Sequence, residues 1–199
     1  MSRRLFKEDV LFVQRFLRSS GFYRGKLDGV WDRATDRAFG AFEAASTQLS
    51  EQLGRYDSRT ETHIRSLHVA AQDAARTLVG TLHAAGIDAR IISGTRTYKE
   101  QNELFRRGRY GNPGPRVTRA RGGSSAHNFA IAWDLGLFDK GRYITQAGPY
   151  EEAASLALVD GLRWGGTWTA FKDRPHYELV TGYSLKEIRA RFERGEAYV

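Results

Sequence analysis

The chain has 199 residues, 41% hydrophobic and 27% charged, enough apolar mass for a modest core in one domain or two small ones. It contains no cysteine, which excludes disulfides, thiolate catalysis and cysteine-ligated metal. Lys and Arg number 31 against 23 Asp and Glu, and the resulting +8 is spread along the sequence. Such a charge suits a polyanionic surface. Nucleic acid is not the expected partner, because nothing resembles a recognition helix or an aromatic-studded strand face. No run of about 18 apolar residues is present, so no membrane insertion is expected. In MSRRLFKEDVLFVQRF, Lys7, Glu8 and Asp9 interrupt any apolar stretch, and no secretory signal is expected.

Val10, Val13, Phe16 and Leu17 share one face of a predicted helix over residues 5–20, stopped by Gly21. FYRGKLDGVWD reads as turns. Asp32 then caps a second helix with an Ala34, Ala38, Phe39 and Phe42 stripe. The core expected for this pair is Val13, Phe16, Leu17, Leu27, Val30, Trp31, Phe39 and Phe42. Residues 46–59 are polar, a linker or a helical connection. From Thr60, Ile64, Leu67, Ala71, Ala74, Leu78 and Leu82 predict one long helix ended by Gly86. DARIISG reads as a buried strand and YKEQNELFRRG as a helix closed by Gly108. Residues 109–124, rich in glycine, proline and arginine, read as loop. AIAWDLGLF is a second strand, EEAASLALVDG a helix, HYELV a last strand, and SLKEIRARFERG a final helix capped by Ser184.

His127, Asp134 and His176 flank or open the last two strands. Two imidazoles and a carboxylate are a hydrolytic zinc set, with three protein ligands and a fourth tetrahedral position left for water. Zinc lowers the pKa of that water towards neutrality. Asp173, three residues before His176, could take its proton. Adjacent strands can bring such positions together. The competing reading is a loop histidine, a satisfied core histidine and a buried cap. Glu178 shares a strand face with His176 and is a candidate to support it. His63, His68 and His83 lack ligand spacing. Trp164 and Trp168 line a pocket or pack the core. The arginines at 106, 107, 109, 116, 119 and 121 form either a rim for an anionic substrate or a solvated face.

SSAHNFAIAWD, over residues 124–134, resembles the Ser-x-His-x-x-x-x-x-x-Asp signature of the M15 zinc peptidases. Asp173-Arg174-Pro175-His176-Tyr177-Glu178 resembles their second motif, and Ser93-Gly94-Thr95-Arg96-Thr97-Tyr98-Lys99-Glu100-Gln101 their upstream segment. Val117-Thr118-Arg119-Ala120 and Trp164-Gly165-Gly166-x-Trp168 also fit. The resemblance spans about residues 60–182. It implies His127, Asp134 and His176 as zinc ligands, Asp173 as general base and acid, and Arg96 as substrate clamp and oxyanion stabiliser. Ser125 and Gln101 are implied at the substrate. Ala130 departs from the family, which usually has glycine there, and its methyl is expected to narrow the pocket. VQRFLRSSGFYRGKLDGVWDRATDRAFGAFEAA resembles the peptidoglycan-binding domain type 1 family.

These resemblances imply an α+β zinc peptidase domain, a small antiparallel sheet flanked by helices, at 60–199. A linker at 48–59 and a small all-α helical wall-binding domain at 1–47 precede it. The expected activity is that of a monomeric, phage endolysin-like, bacteriolytic peptidoglycan hydrolase. With Zn2+, it cleaves the L-alanyl-D-glutamate bond of the stem peptide. The protein would be made in the host cytoplasm and act on the wall after release. The alternatives are a zinc D-alanyl-D-alanine carboxypeptidase, an effector injected into competing bacteria, and a non-catalytic wall-binding protein.

Overall fold

A computed structural model describes residues 6–199. Its elements are α1 (Lys7–Ser19), α2 (Arg33–Leu53), α3 (Ser58–Arg65), α4 (Val69–Ala84), β1 (Asp88–Ser93), α5 (Tyr98–Arg106), β2 (Ala132–Asp139), β3 (Arg142–Tyr143), α6 (Ala147–Ala157), β4 (Leu162–Trp164), β5 (His176–Leu179) and α7 (Leu185–Arg194). The predicted helix start at residue 5, and most of the basic N-terminal run read for a signal, lie outside the described residues. No described helix is long and apolar enough to cross a membrane. The chain divides into two compact units, one holding the described residues up to Ala44 with Arg96–Phe129 and Gly182–Val199, the other Ala45–Thr95 with Ala130–Thr181.

In the first unit, α1 and the start of α2 are joined by a buried glutamine. Gln14 Oε1 accepts from the N–H groups of Asp28 (3.1 Å) and Gly29 (2.8 Å), and its Nε2 donates to the Val30 carbonyl (2.9 Å). One side chain thus satisfies a turn that has no ladder of its own. Asp32 Oδ1 accepts from Thr35 N at 2.7 Å and caps α2 as expected. Phe16, Leu17 and Phe42 are buried as expected, joined by Val10, Tyr23 and Ala38. Val30 and Phe39 are not core: they are 58% and 37% exposed. Phe39 sits on the outer flank of the stripe, edge-on to Trp31 at 5.6 Å. A second cluster joins Phe12, Tyr98, Phe129, Phe192 and Tyr198, bringing α1, α5 and α7 together. Helices α5 and α7 both start with a complete capping box, Thr97 with Glu100 and Ser184 with Glu187.

The second unit is a five-stranded antiparallel sheet in the order β1-β2-β5-β4, with β3 added to β2. Its core includes Ile64, Leu78, Leu82, Ile91, Trp133 and Tyr177. Trp133 and Tyr177 are register partners across β2 and β5 and stack with rings 9° from parallel. The single helix predicted from Thr60 is two. Ser66 Oγ donates to the His63 carbonyl at 2.7 Å, ending α3, and His68 Nδ1 accepts from Ala70 N at 3.2 Å, starting α4. Such local bonds offer the backbone an alternative to the helical ladder. The buried Arg76 guanidinium on α4 then meets Glu61 on α3 through two 2.8 Å bonds. Residues 48–53, read within a connector, continue α2. Strands β3 and β4, two and three residues long, were not anticipated.

Candidate metal centre

Asp134 and His176 face each other as register partners on β2 and β5, so strand pairing alone brings them together. His176 Nδ1 lies 3.4 Å from Asp134 Oδ1. Its other nitrogen, Nε2, lies 3.0 Å from Glu178 Oε2, two residues along the same strand face. Glu178 also accepts from Arg163 Nε at 2.8 Å. Burial disfavours a charged His176, but the hydrogen bonds to Asp134 and Glu178 outweigh it and raise its pKa to about 9. Burial likewise pushes the Glu178 carboxyl up, but His176 and Arg163 more than offset it and leave it below its ordinary value. Trp168 lies with its ring centroid 5.0 Å from that of His176.

His127 comes from a one-turn 3₁₀ helix, Ala126–Phe129, all four residues of which are buried. Asn128 builds the turn. Its Oδ1 accepts from Gly123 N (2.9 Å) and its Nδ2 donates to the Arg96 carbonyl (2.8 Å), while Arg96 N donates to the His127 carbonyl at 3.0 Å. Arg96 Nη2 stands 3.3 Å from His127 Nε2, and Nη1 donates to Gln101 Oε1 at 3.1 Å. Gln101, read at the substrate, is fully buried. Its Nε2 donates to the Ala120 carbonyl at 3.0 Å and contacts Thr118 Oγ1 at 3.3 Å. Its amide is engaged inside the protein on both sides, with Arg96 at one end and the Ala120 carbonyl at the other. Ser125 is half-buried just before the turn, its carbonyl accepting from Asn128 N at 3.0 Å.

One ligand atom from each of His127, Asp134 and His176 lies within 4.8 Å of the others. Two imidazoles and one carboxylate are borderline-hard donors suited to a divalent metal. Both nitrogens of His176 face a carboxylate, and it is Nδ1 that lies beside Asp134 of the ligand set, so Nδ1 is the nitrogen placed for an ion.

Asp173 is half-buried, in a tight turn before β5. Its N–H donates to the Gly165 carbonyl at 3.0 Å, and its own carbonyl accepts from His176 N at 3.2 Å. Gly165 permits this approach: a Cβ there would collide with the Asp173 carbonyl oxygen and come within 3.1 Å of His176 Cβ. Trp164 is core, its Nε1 donating to the Arg174 carbonyl at 2.7 Å. Helix α5 ends at Arg106, ahead of the stop expected at Gly108. Residues 109–124 form no helix or strand, as expected. Two of their arginines are engaged within the protein: Arg109 and Arg121 lie over the Phe105 ring at 4.2 and 4.9 Å. The departure at Ala130 is one of backbone rather than methyl volume. Its φ is +57°, the left-handed region where glycine is free of strain and alanine is not.

Asn128 is the residue that the motif reading passed over. Its signal was its place beside His127, where an amide can donate and accept at once.

A family model described as D-alanyl-D-alanine carboxypeptidase, Peptidase M15_4, matches residues 118–179. The peptidoglycan L-alanyl-D-glutamate endopeptidase CwlK of Bacillus subtilis (strain 168) is 37% identical over 124 residues, 57% of this chain and 74% of CwlK. The crystal structure of the Serratia marcescens L-Ala D-Glu endopeptidase ChiX superposes with a TM-score of 0.51 at 22% identity. The match covers 64% of this chain and 91% of that one, and it shows a shared fold. A sheet-borne Asp–His pair, a turn-borne histidine and a relative matched over three quarters of its length lead to one assignment: the chain belongs to the M15 family of peptidases.

Proposed function

We infer that the protein is a zinc peptidoglycan endopeptidase that cleaves the L-alanyl-D-glutamate bond of the stem peptide. The observation that carries this reading is the His127, Asp134 and His176 ligand set; the choice of bond follows the similarity to CwlK. When bound, Zn2+ supplies a Lewis acid that polarises a carbonyl and brings a water's pKa to about 7. Asp173 takes a proton from the attacking water and returns it to the leaving amine. Its short tether to His176 supports that role. Arg96 offers guanidinium donors where negative charge builds on the carbonyl oxygen, with Gln101 holding it from behind. Ser125 contacts the peptide beside His127.

The segment up to residue 47 serves as a wall-binding module, with 48–59 as connector and 60–199 as the peptidase. The module raises the local substrate concentration for a monomeric catalyst. Endolysin-like use, with synthesis in a host cytoplasm and release onto the wall, fits this arrangement. A second reading is a D-alanyl-D-alanine carboxypeptidase, favoured by the description of the family matched at residues 118–179.

Mass analysis of digested peptidoglycan separates the two. New N-terminal D-glutamate supports the endopeptidase, and loss of terminal D-alanine alone supports the rival. Asp173→Ala is expected to lower the cleavage rate by about 10²–10⁴-fold. An Asp173→Ala protein cutting at the wild-type rate refutes the assigned base, and chelation without loss of activity refutes the metal. Sedimentation of full-length Asp173→Ala with insoluble peptidoglycan tests the wall-binding module.

A further inference from the structure

We propose that Glu178 is a positioning residue that selects which nitrogen of His176 faces the metal, and that Arg163 holds Glu178 for this task. The proposal rests on the reading of His176 as a metal ligand. An imidazole can present either nitrogen, and a ligand ring free to turn over or to change tautomer offers the wrong one part of the time. A carboxylate only accepts hydrogen bonds, so the 3.0 Å contact between His176 Nε2 and Glu178 Oε2 requires the hydrogen on Nε2. Nδ1 also faces a carboxylate, Asp134 Oδ1 at 3.4 Å, but Asp134 belongs to the ligand set, so a metal ion would take the place of the Nδ1 hydrogen while Glu178 keeps the one on Nε2.

Three features fix Glu178 itself. It follows His176 by two on β5, so both side chains leave the same face of the sheet. Arg163 on β4 is its register partner and donates from Nε to Oε1 at 2.8 Å, leaving Oε2 for the imidazole. Both Glu178 and His176 are buried, where an unpartnered carboxylate is costly. The Trp168 ring lies beside the imidazole, tilted 49° to it with centroids 5.0 Å apart. A salt bridge serving only to join β4 to β5 needs Arg163 and Glu178 alone; it does not require one carboxylate oxygen to be directed at His176.

The test compares Zn2+ affinity, by competition with a chromophoric chelator, with long-range 15N–1H spectra of the histidines in the zinc-loaded full-length protein. In the wild type, His176 is expected to carry hydrogen on Nε2 and zinc on Nδ1. Glu178→Ala is expected to weaken zinc binding by about 10–100-fold, the range for removing such outer partners. It should also lose the single Nε2–H signature. Glu178→Gln keeps an acceptor oxygen and is expected to recover most of the affinity. Thermal unfolding of each variant reports on the fold separately. A Glu178→Ala protein that melts earlier but binds zinc as tightly, with His176 still coordinating through Nδ1, overturns the proposal and leaves the metal reading standing. A wild-type protein that takes up no zinc overturns the metal reading, and the purpose assigned to Glu178 with it.

Discussion

Asp134 and His176 stand opposite each other across two antiparallel strands, whereas His127 comes from a single turn held by the amide of Asn128. In the sheet, ligand geometry is a by-product of register. Once Trp133 pairs with Tyr177, the next pair along the ladder is Asp134 with His176. In the turn there is no ladder, and the position of His127 depends on a few isolated bonds, those of the Asn128 amide and that from Arg96 N to the His127 carbonyl. The two kinds of support should fail differently: the sheet only by losing the fold, the turn by losing the site while the fold remains.

The largest expected effect is therefore in the sheet. Trp133→Ala removes a fully buried indole and should cost about 3–5 kcal/mol. Thermal or denaturant unfolding measures this directly, and zinc binding should be lost along with the fold. Asn128→Ala should cost less, about 1–3 kcal/mol for the backbone groups left unpaired. It should nevertheless weaken zinc uptake in a protein whose circular dichroism is unchanged. If Asn128→Ala bound zinc like the wild type, the contrast between ladder and turn would be wrong.

Ala130 lies at the seam between the turn and β2. Ala130→Gly should remove the left-handed strain and add back some unfolded-chain entropy, a net gain of up to about 1 kcal/mol. A lower melting temperature for this variant would show that the methyl contributes packing worth more than the strain. An effect confined to acid pH concerns His68, whose backbone N–H donates to the Ala130 carbonyl at 2.8 Å. Burial lowers its pKa from 6.5 to about 4. The unfolded chain therefore binds a proton in that interval that the folded chain refuses. The stability tied to His68 is complete above pH 6.5 and lost as pH falls towards 4. His68→Asn keeps a capping acceptor for Ala70 N and should flatten the stability profile over that window. Chemical denaturation at several pH values is the check.

Much of this division could be read from the residues. Capping residues marked the starts of α2 and α7, and the apolar runs marked β1, β2 and β5, because those signals are local. The break between α3 and α4 was hidden, since Leu67 keeps the apolar spacing while Ser66 and His68 break the helix through bonds that periodicity cannot register. Strands β3 and β4 are too short to carry a pattern of their own. Val30 was read as core, but the carbonyl of that residue, not its side chain, faces inward to Gln14. The ligand residues were legible from motif wording. Glu178 was legible too, from its spacing of two after His176, but the bonds made by Asn128 and the pairing of Arg163 with Glu178 depend on which backbone or strand lies alongside, and one sequence does not state that.

Gly165 carries no functional group, yet the hydrogen on its Cα marks where the chain has no spare room beside Asp173 and His176. In a saturation library screened for wall clearance, this position should tolerate almost nothing, like a catalytic residue. Chemical rescue, altered metal and altered pH would all fail to restore its variants, because what they lack is space. A position intolerant to substitution but silent to every chemical probe would identify the wall of the site, as distinct from the groups that react within it.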